Sequence, residues 1–231
     1  MMLVWTPDTV RFQRDAARYG TYHKTLAKHL AAYLPPDVHV CDAGCGLGYL
    51  SRALALYCKR VTAIDSSALA LAVLREDTPE NVEICEGDIF TLSPAERYDA
   101  MVFCFFAAMD DALLLAKKHC RGKVIVIKRG WTQHRFSLSQ EPLQKYTSDE
   151  TEQYLRARGI PFSREDLTLD MGQPFRSQED AVRFFAAYGN EAVTFSDIEA
   201  RLEKADDASF PYYLPQEKPL GIFIFDAKDI P

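Results

Sequence analysis

The sequence predicts an α/β fold built on a doubly wound, mostly parallel sheet, and three observations carry that expectation. Apolar, β-branched strand candidates alternate with helical segments from residue 38 to about residue 130. A glycine-rich turn follows the first of these strands, and the next two strand units end in aspartates. Strands that are nearly continuous in Val, Ile, Phe and Met are buried on both faces, which is the condition of a parallel sheet covered by helices. At 231 residues, 48% hydrophobic and 26% charged, the chain is long enough and apolar enough to bury one such core as a single domain.

Each element follows in order. Val10 to Leu34 has an amphipathic helical pattern containing Phe12, Tyr19, Tyr22 and Tyr33, and Pro35-Pro36 stops it. Val38 and Val40 open the first strand, Gly44, Gly46 and Gly48 permit positive φ and close backbone approach, and Leu47 to Tyr57 has helical spacing. A helix starting there aims unpaired N–H groups and the positive end of its dipole into the crevice beyond the strand. The strand Arg60 to Ile64 ends in Asp65 before a helical run from Ser67 to Leu74, and the unit NVEICEGDIF ends near Asp88. Strands at Tyr98 to Phe103 and Lys123 to Lys128 flank a helix beginning near Asp110. After Gly130 the run WTQHRFSLSQEPLQKY is too aromatic for a spacer and too short for a core of its own, so it reads as an inserted lid reaching about Asp149. A helix from Ser148 to Arg158 is expected next, capped by Ser148 or Asp149 and ended by Gly159. Glu165 to Met171 alternates as a half-exposed strand does, and helices Gln178 to Tyr188 and Ser196 to Ala205 follow, with Phe184 and Phe185 facing the core. Leu220 to Phe225 is the last strand, expected to pair antiparallel with Glu165 to Met171.

Glycine spacing decides which ligand the first turn suits. The dinucleotide fingerprint G-x-G-x-x-G needs glycine where this chain has Tyr49, and the P-loop needs a Gly-Lys-Ser/Thr ending that is absent. Asp42-Ala43-Gly44-Cys45-Gly46-Leu47-Gly48 instead resembles the first motif of the class I S-adenosylmethionine-dependent methyltransferases. The resemblance implies S-adenosylmethionine as cofactor and a Rossmann-like, seven-stranded sheet with an antiparallel closing strand and an inserted lid. It implies a division into an N-terminal helical cap (1–36), a cofactor-binding core (37–130), an acceptor-side insertion with helices (131–210) and a closing strand (211–231). On the same ground Asp42, Gly44, Cys45, Gly46 and Gly48 form the cofactor loop, and Asp65 with Ser66 meets the ribose. Asp88 and Ile89 meet the adenine, Cys104 and Phe105 line the site after the fourth strand, and Tyr19 reaches the methionine end from the N-terminal helix. Two of these positions have a second reading: Asp65 also suits a helix N-cap, and Asp88 also suits capping of its own loop. The Asn/Asp-Pro-Pro-Tyr/Phe motif of the relatives that methylate bases is replaced here by Phe103-Cys104-Phe105-Phe106-Ala107-Ala108.

Charge and composition narrow the partners. A formal net charge of −6 argues against nucleic acid, whose binding requires a basic stripe. No apolar run reaches the roughly 18 to 20 residues that cross a bilayer, and the start lacks a basic region followed by an apolar one. Neither a membrane nor a metal is therefore expected: no C-x-x-C or H-x-x-x-H pair occurs, and the six cysteines read as reduced core thiols of a cytoplasmic protein. The expected acceptor is a small molecule of aromatic or apolar character, with Lys128, Trp131, His134 and Arg135 nearest the open end of the fifth strand and Arg14, Tyr19 and Tyr22 on the N-terminal helix. The methylated atom, a catalytic residue and the oligomeric state are not legible, since displacement at a sulfonium needs alignment and desolvation more than a general base. Two other readings stay open: a noncatalytic S-adenosylmethionine-binding regulator, and aminopropyl transfer, for which Asp110-Asp111 is the only hint.

Overall fold

In the computed structural model, which describes residues 5–132, 147–189 and 193–231, Thr6 starts the first helix, α1 (Pro7–Tyr19), by accepting a hydrogen bond from Thr9 N. The one helix expected over Val10 to Leu34 is two. The backbone extends at Gly20 (φ −94°, ψ 174°), and α2 (Tyr22–Leu30) begins two residues later. Glycine has almost the weakest helix propensity, so a break costs least there.

The main sheet is then laid down in strand-helix repeats: β1 (His39–Ala43), α3 (Tyr49–Leu54), β2 (Arg60–Asp65), α4 (Ala68–Arg75), β3 (Val82–Glu86), β4 (Tyr98–Cys104), α5 (Met109–His119) and β5 (Cys120–Arg129). After them come α6 (Ser148–Ala157) and β6 (Ser163–Asp170). α6 is capped by Thr147, one residue before the expected Ser148 or Asp149, in a reciprocal box with Glu150, and Gly159 at φ 65° follows its end. Short strand β7 (Gln173–Phe175), helices α7 (Gln178–Gly189) and α8 (Phe195–Ile198), strands β8 (Glu203–Lys204) and β9 (Tyr212–Leu214), and a long strand β10 (Glu217–Asp226) complete the order.

Seven strands form one sheet in the order β3-β2-β1-β4-β5-β10-β6. β1 through β5 are parallel, and the last strand, expected beside Glu165 to Met171, does neighbour β6 but also runs antiparallel to β5, entering between the two. One face of this sheet carries Met101, Phe103, Val124, Val126, Phe223 and Phe225, packed with Leu113, Leu115 and Leu155. Each fully buried Phe of this set contributes about 1.5–3 kcal/mol.

By compactness the chain divides into two units. The larger collects the described residues of His23–Gly130, Tyr146–Leu167 and Pro219–Pro231; the smaller collects those of Met1–Tyr22, Trp131–Lys145 and Thr168–Lys218. Within the smaller unit β7, β9 and β8 make a three-stranded antiparallel sheet that the sequence did not announce. Its core is Phe12, Phe175, Phe184, Phe185, Ile198 and Leu214, with Phe12 and Phe184 edge to face at 5.0 Å. The helix expected through Ala205 ends at Ile198 with a 3₁₀ turn over Glu199–Arg201, because Glu203 and Lys204 pair with β9. Two buried carboxylates tie this unit together: Arg11 donates to both oxygens of Asp180, and Arg176 to both of Asp15. Among the described residues no helix is long and apolar enough to cross a membrane.

Candidate cofactor site

Parallel pairing of β3, β2, β1, β4 and β5 brings their carboxyl ends to one edge of the sheet, and strand order reverses between β1 and β4. Such a reversal opens a crevice that loops can line. Beyond β1, the N–H groups of Gly44 and Cys45 both donate to Ile64 O at 2.9 Å, so the glycine loop is moored to the neighbouring strand. Gly44 and Gly48 sit at φ 71° and 74°. Room is short as well: a Cβ on Gly44 would lie 2.2 Å from the Phe106 ring, and one on Gly48 2.6 Å from the Leu74 side chain. Conformation and space therefore both demand glycine at these two positions.

Two aspartates brace this loop. Asp65, at the end of β2, accepts from Gly46 N (2.8 Å) through one oxygen and from Ser67 N (2.9 Å) through the other. The N-cap of α4 is Ser67, which accepts from Ala70 N, so Asp65 is not spent on capping; it links the glycine loop to the start of α4. Asp42 is 1% exposed and takes a 2.5 Å hydrogen bond from Ser51 Oγ. Burial raises its carboxyl to about 6, against the Ser51 hydrogen bond, which lowers it, and with help from the Asp65 charge. It therefore supports the loop from beneath rather than from the crevice.

The other predicted positions fall as follows. Ser66 and Asp88 are exposed, and Ile89 is buried. Asp88 caps its own loop, accepting from Phe90 N at 3.0 Å. The Cys45 thiol is pushed far up by burial, which removes it as a nucleophile. Cys104 is half-buried, and Phe105 beyond it is exposed with φ 54°. Ala107 has φ 60°. Side-chain-bearing residues in this region cost on the order of 1–3 kcal/mol each. Lys128, 2% exposed, donates to Ala107 O (2.7 Å) and Phe106 O (3.3 Å), and burial lowers its amine to about 8.

Tyr19 lies in the smaller unit, its ring 5.1 Å from Tyr213 and 5.9 Å from Phe210. Arg14 is exposed and Tyr22 half-buried, and Trp131 is half-buried. His134 and Arg135 lie outside the described residues. At the start of α2, the His23 ring is 5.4 Å from that of Tyr49, and desolvation lowers it to about 4, so it is neutral at pH 7. Phe106 is the residue that sequence reading missed; the only signal for it was the aromatic run after β4. Among the described residues no group of three or more His, Cys, Asp or Glu is placed to hold a metal ion.

Residues 40–121 match the methyltransferase domain family. Over 81 residues the chain is 37% identical to malonyl-[acyl-carrier protein] O-methyltransferase of Pectobacterium atrosepticum, an alignment covering 34% of this chain and spanning about a third (32%) of that relative. Among solved structures it resembles YcgJ of Bacillus subtilis (12% identity, 89% of this chain and 97% of the other, TM-score 0.54). It also resembles magnesium protoporphyrin IX methyltransferase of Synechocystis, solved with bound S-adenosylhomocysteine (14% identity, 88% and 83%, TM-score 0.50). Strand order and glycine loop agree with that match: residues 40–121 are similar to the methyltransferase domain, and the sheet has the Rossmann-like fold of the solved methyltransferase structures.

Proposed function

We propose that the chain binds S-adenosylmethionine at the carboxyl edge of β1, β2, β3 and β4 and transfers its methyl group to a small-molecule acceptor. The observation that carries this reading is the double hydrogen bond of Asp65 to Gly46 N and Ser67 N, which fixes a half-exposed carboxylate beside the glycine loop. Each carboxylate oxygen has a second lone pair, so the pair of ribose hydroxyls is the donor set such a group fits. Gly44, Cys45, Gly46 and Gly48 would face the ligand with backbone, held from beneath by Asp42 and Ser51. Ser66, Asp88 and Ile89 would line the adenosine end, and Cys104 and Phe105 the reacting end.

When bound, the cofactor supplies an electrophilic methyl on a sulfonium. This chain's residues then need to align the acceptor and keep water out, because the positive charge disperses as the methyl moves. The acidic balance of the chain supports a free small molecule over nucleic acid and suits a cytoplasmic enzyme.

Calorimetric titration with S-adenosylmethionine, S-adenosylhomocysteine and NAD tests the proposal. Micromolar binding of the first two and none of NAD is expected; no heat from either sulfur ligand would end it.

A further inference from the structure

We propose that Lys128 is a positioning residue for the cofactor site: its buried amine holds the loop 105–107 in the shape that seats Phe106 against Gly44. This rests on the cofactor reading above and adds to it a residue on a different strand.

A lysine is seldom this deeply buried unless a carboxylate accompanies it. Here the acceptors of its Nζ hydrogen bonds are two main-chain carbonyls, those of Phe106 and Ala107. Both belong to a loop in which Phe105 and Ala107 adopt positive φ. A conformation of that kind persists only where its surroundings over-determine it. The carbonyls it turns inward also need a donor, because a buried peptide oxygen without one is costly. Lys128 meets both demands from the end of β5. The β4–β5 register pairs Cys104 with Ile127, which puts Lys128 one step beyond the last paired residue of β4 and directly below the loop.

The loop in turn reaches the cofactor motif. Three atoms of the Phe106 ring lie 2.2–2.8 Å from where a Gly44 Cβ would stand, so the ring rests on the Gly44 backbone itself. Lys128, the carbonyls of 106 and 107, the Phe106 ring and Gly44 form one continuous chain of contacts. Loss of the amine frees the loop to relax toward negative φ, which withdraws the ring from Gly44 and loosens the glycine loop.

The test is calorimetric titration of S-adenosylhomocysteine into the full-length chain and three variants, with circular dichroism to confirm folding. Lys128→Met should weaken binding by about tenfold or more, the worth of charge-assisted hydrogen bonds. Adding Ala107→Gly to Lys128→Met should recover a substantial part of that loss, since glycine accepts φ 60° without strain. A lysine that merely fills space would show no such rescue. Phe106→Ala should weaken binding too and serves if Lys128→Met fails to fold. Amide exchange over residues 104–109 should speed up in Lys128→Met and slow again in the double variant. Binding within about twofold of the parent for Lys128→Met or Phe106→Ala, or absence of rescue, overturns the assignment alone. A parent chain that does not bind S-adenosylhomocysteine overturns the cofactor reading and this assignment together.

Discussion

At the scale of single residues, Asp65 and Asp42 divide the labour of one loop, and their environments set different tests. Asp65→Ala removes the acceptor of Gly46 N and Ser67 N. S-adenosylmethionine affinity should fall by roughly 1.5–3 kcal/mol, the worth of hydrogen bonds to a charged group. Unchanged affinity in that titration would remove the ribose assignment. Gly44→Ala places a Cβ into the Phe106 ring at positive φ, and should abolish measurable binding and lower the melting temperature. Asp42 governs a pH dependence. Its folded-state pKa, about 6, lies above the unfolded value, so the native state holds the proton more tightly. The stability this brings is fully present below about pH 4 and is lost as pH rises through 6, a swing of about 3 kcal/mol. His23, lowered to about 4, contributes with the opposite sign across the same window, losing stability as pH falls. Urea melts of the parent and Asp42→Asn between pH 4 and 7 should therefore show the variant gaining on the parent as pH rises. A constant difference would mean that Asp42 is ionised at no cost.

At the scale of elements, the β-α repeats were legible because each spans many residues with one period and each boundary is set by local chemistry. The glycine loop and Asp65 were legible for the same reason: a tight turn and a strand-ending acid announce themselves within a few positions. Contacts between distant segments left no such mark. Nothing near Gly44 names Phe106 as the ring that fills its missing Cβ, and nothing near Lys128 shows two inward carbonyls waiting for a donor. The strands β7, β8 and β9 have two or three residues each, too few for an alternation to show. The break at Gly20 was hidden by the amphipathic pattern that continues through it. The cap of α6 was missed by one residue, since Thr147, Ser148 and Asp149 are all competent and only the geometry selects Thr147. Thr147→Ala should cost about 1 kcal/mol in a chemical melt, whereas Ser148→Ala should leave the cap intact. Equal losses would mean that the capping box is not what starts the helix.

At the scale of the whole molecule, the larger unit is assembled from three stretches of chain, and the last of them supplies an interior strand. Deleting residues 219–231 removes most of β10 from between β5 and β6, and so strips β6 of its neighbour and bares the flank of β5. The truncated chain should lose its cooperative thermal transition; a soluble fragment melting cooperatively would contradict the inserted-strand topology. The same order has a consequence during synthesis. The five parallel strands and the glycine loop all lie between His39 and Arg129, so they are synthesised before the strand that completes their sheet. Val124 to Ile127, fully buried in the finished sheet, must then wait about 90 residues for their partner, roughly 5 to 20 seconds at ordinary elongation rates. Throughout that interval the nascent chain presents an open apolar strand edge, the kind of edge that recruits foreign strands.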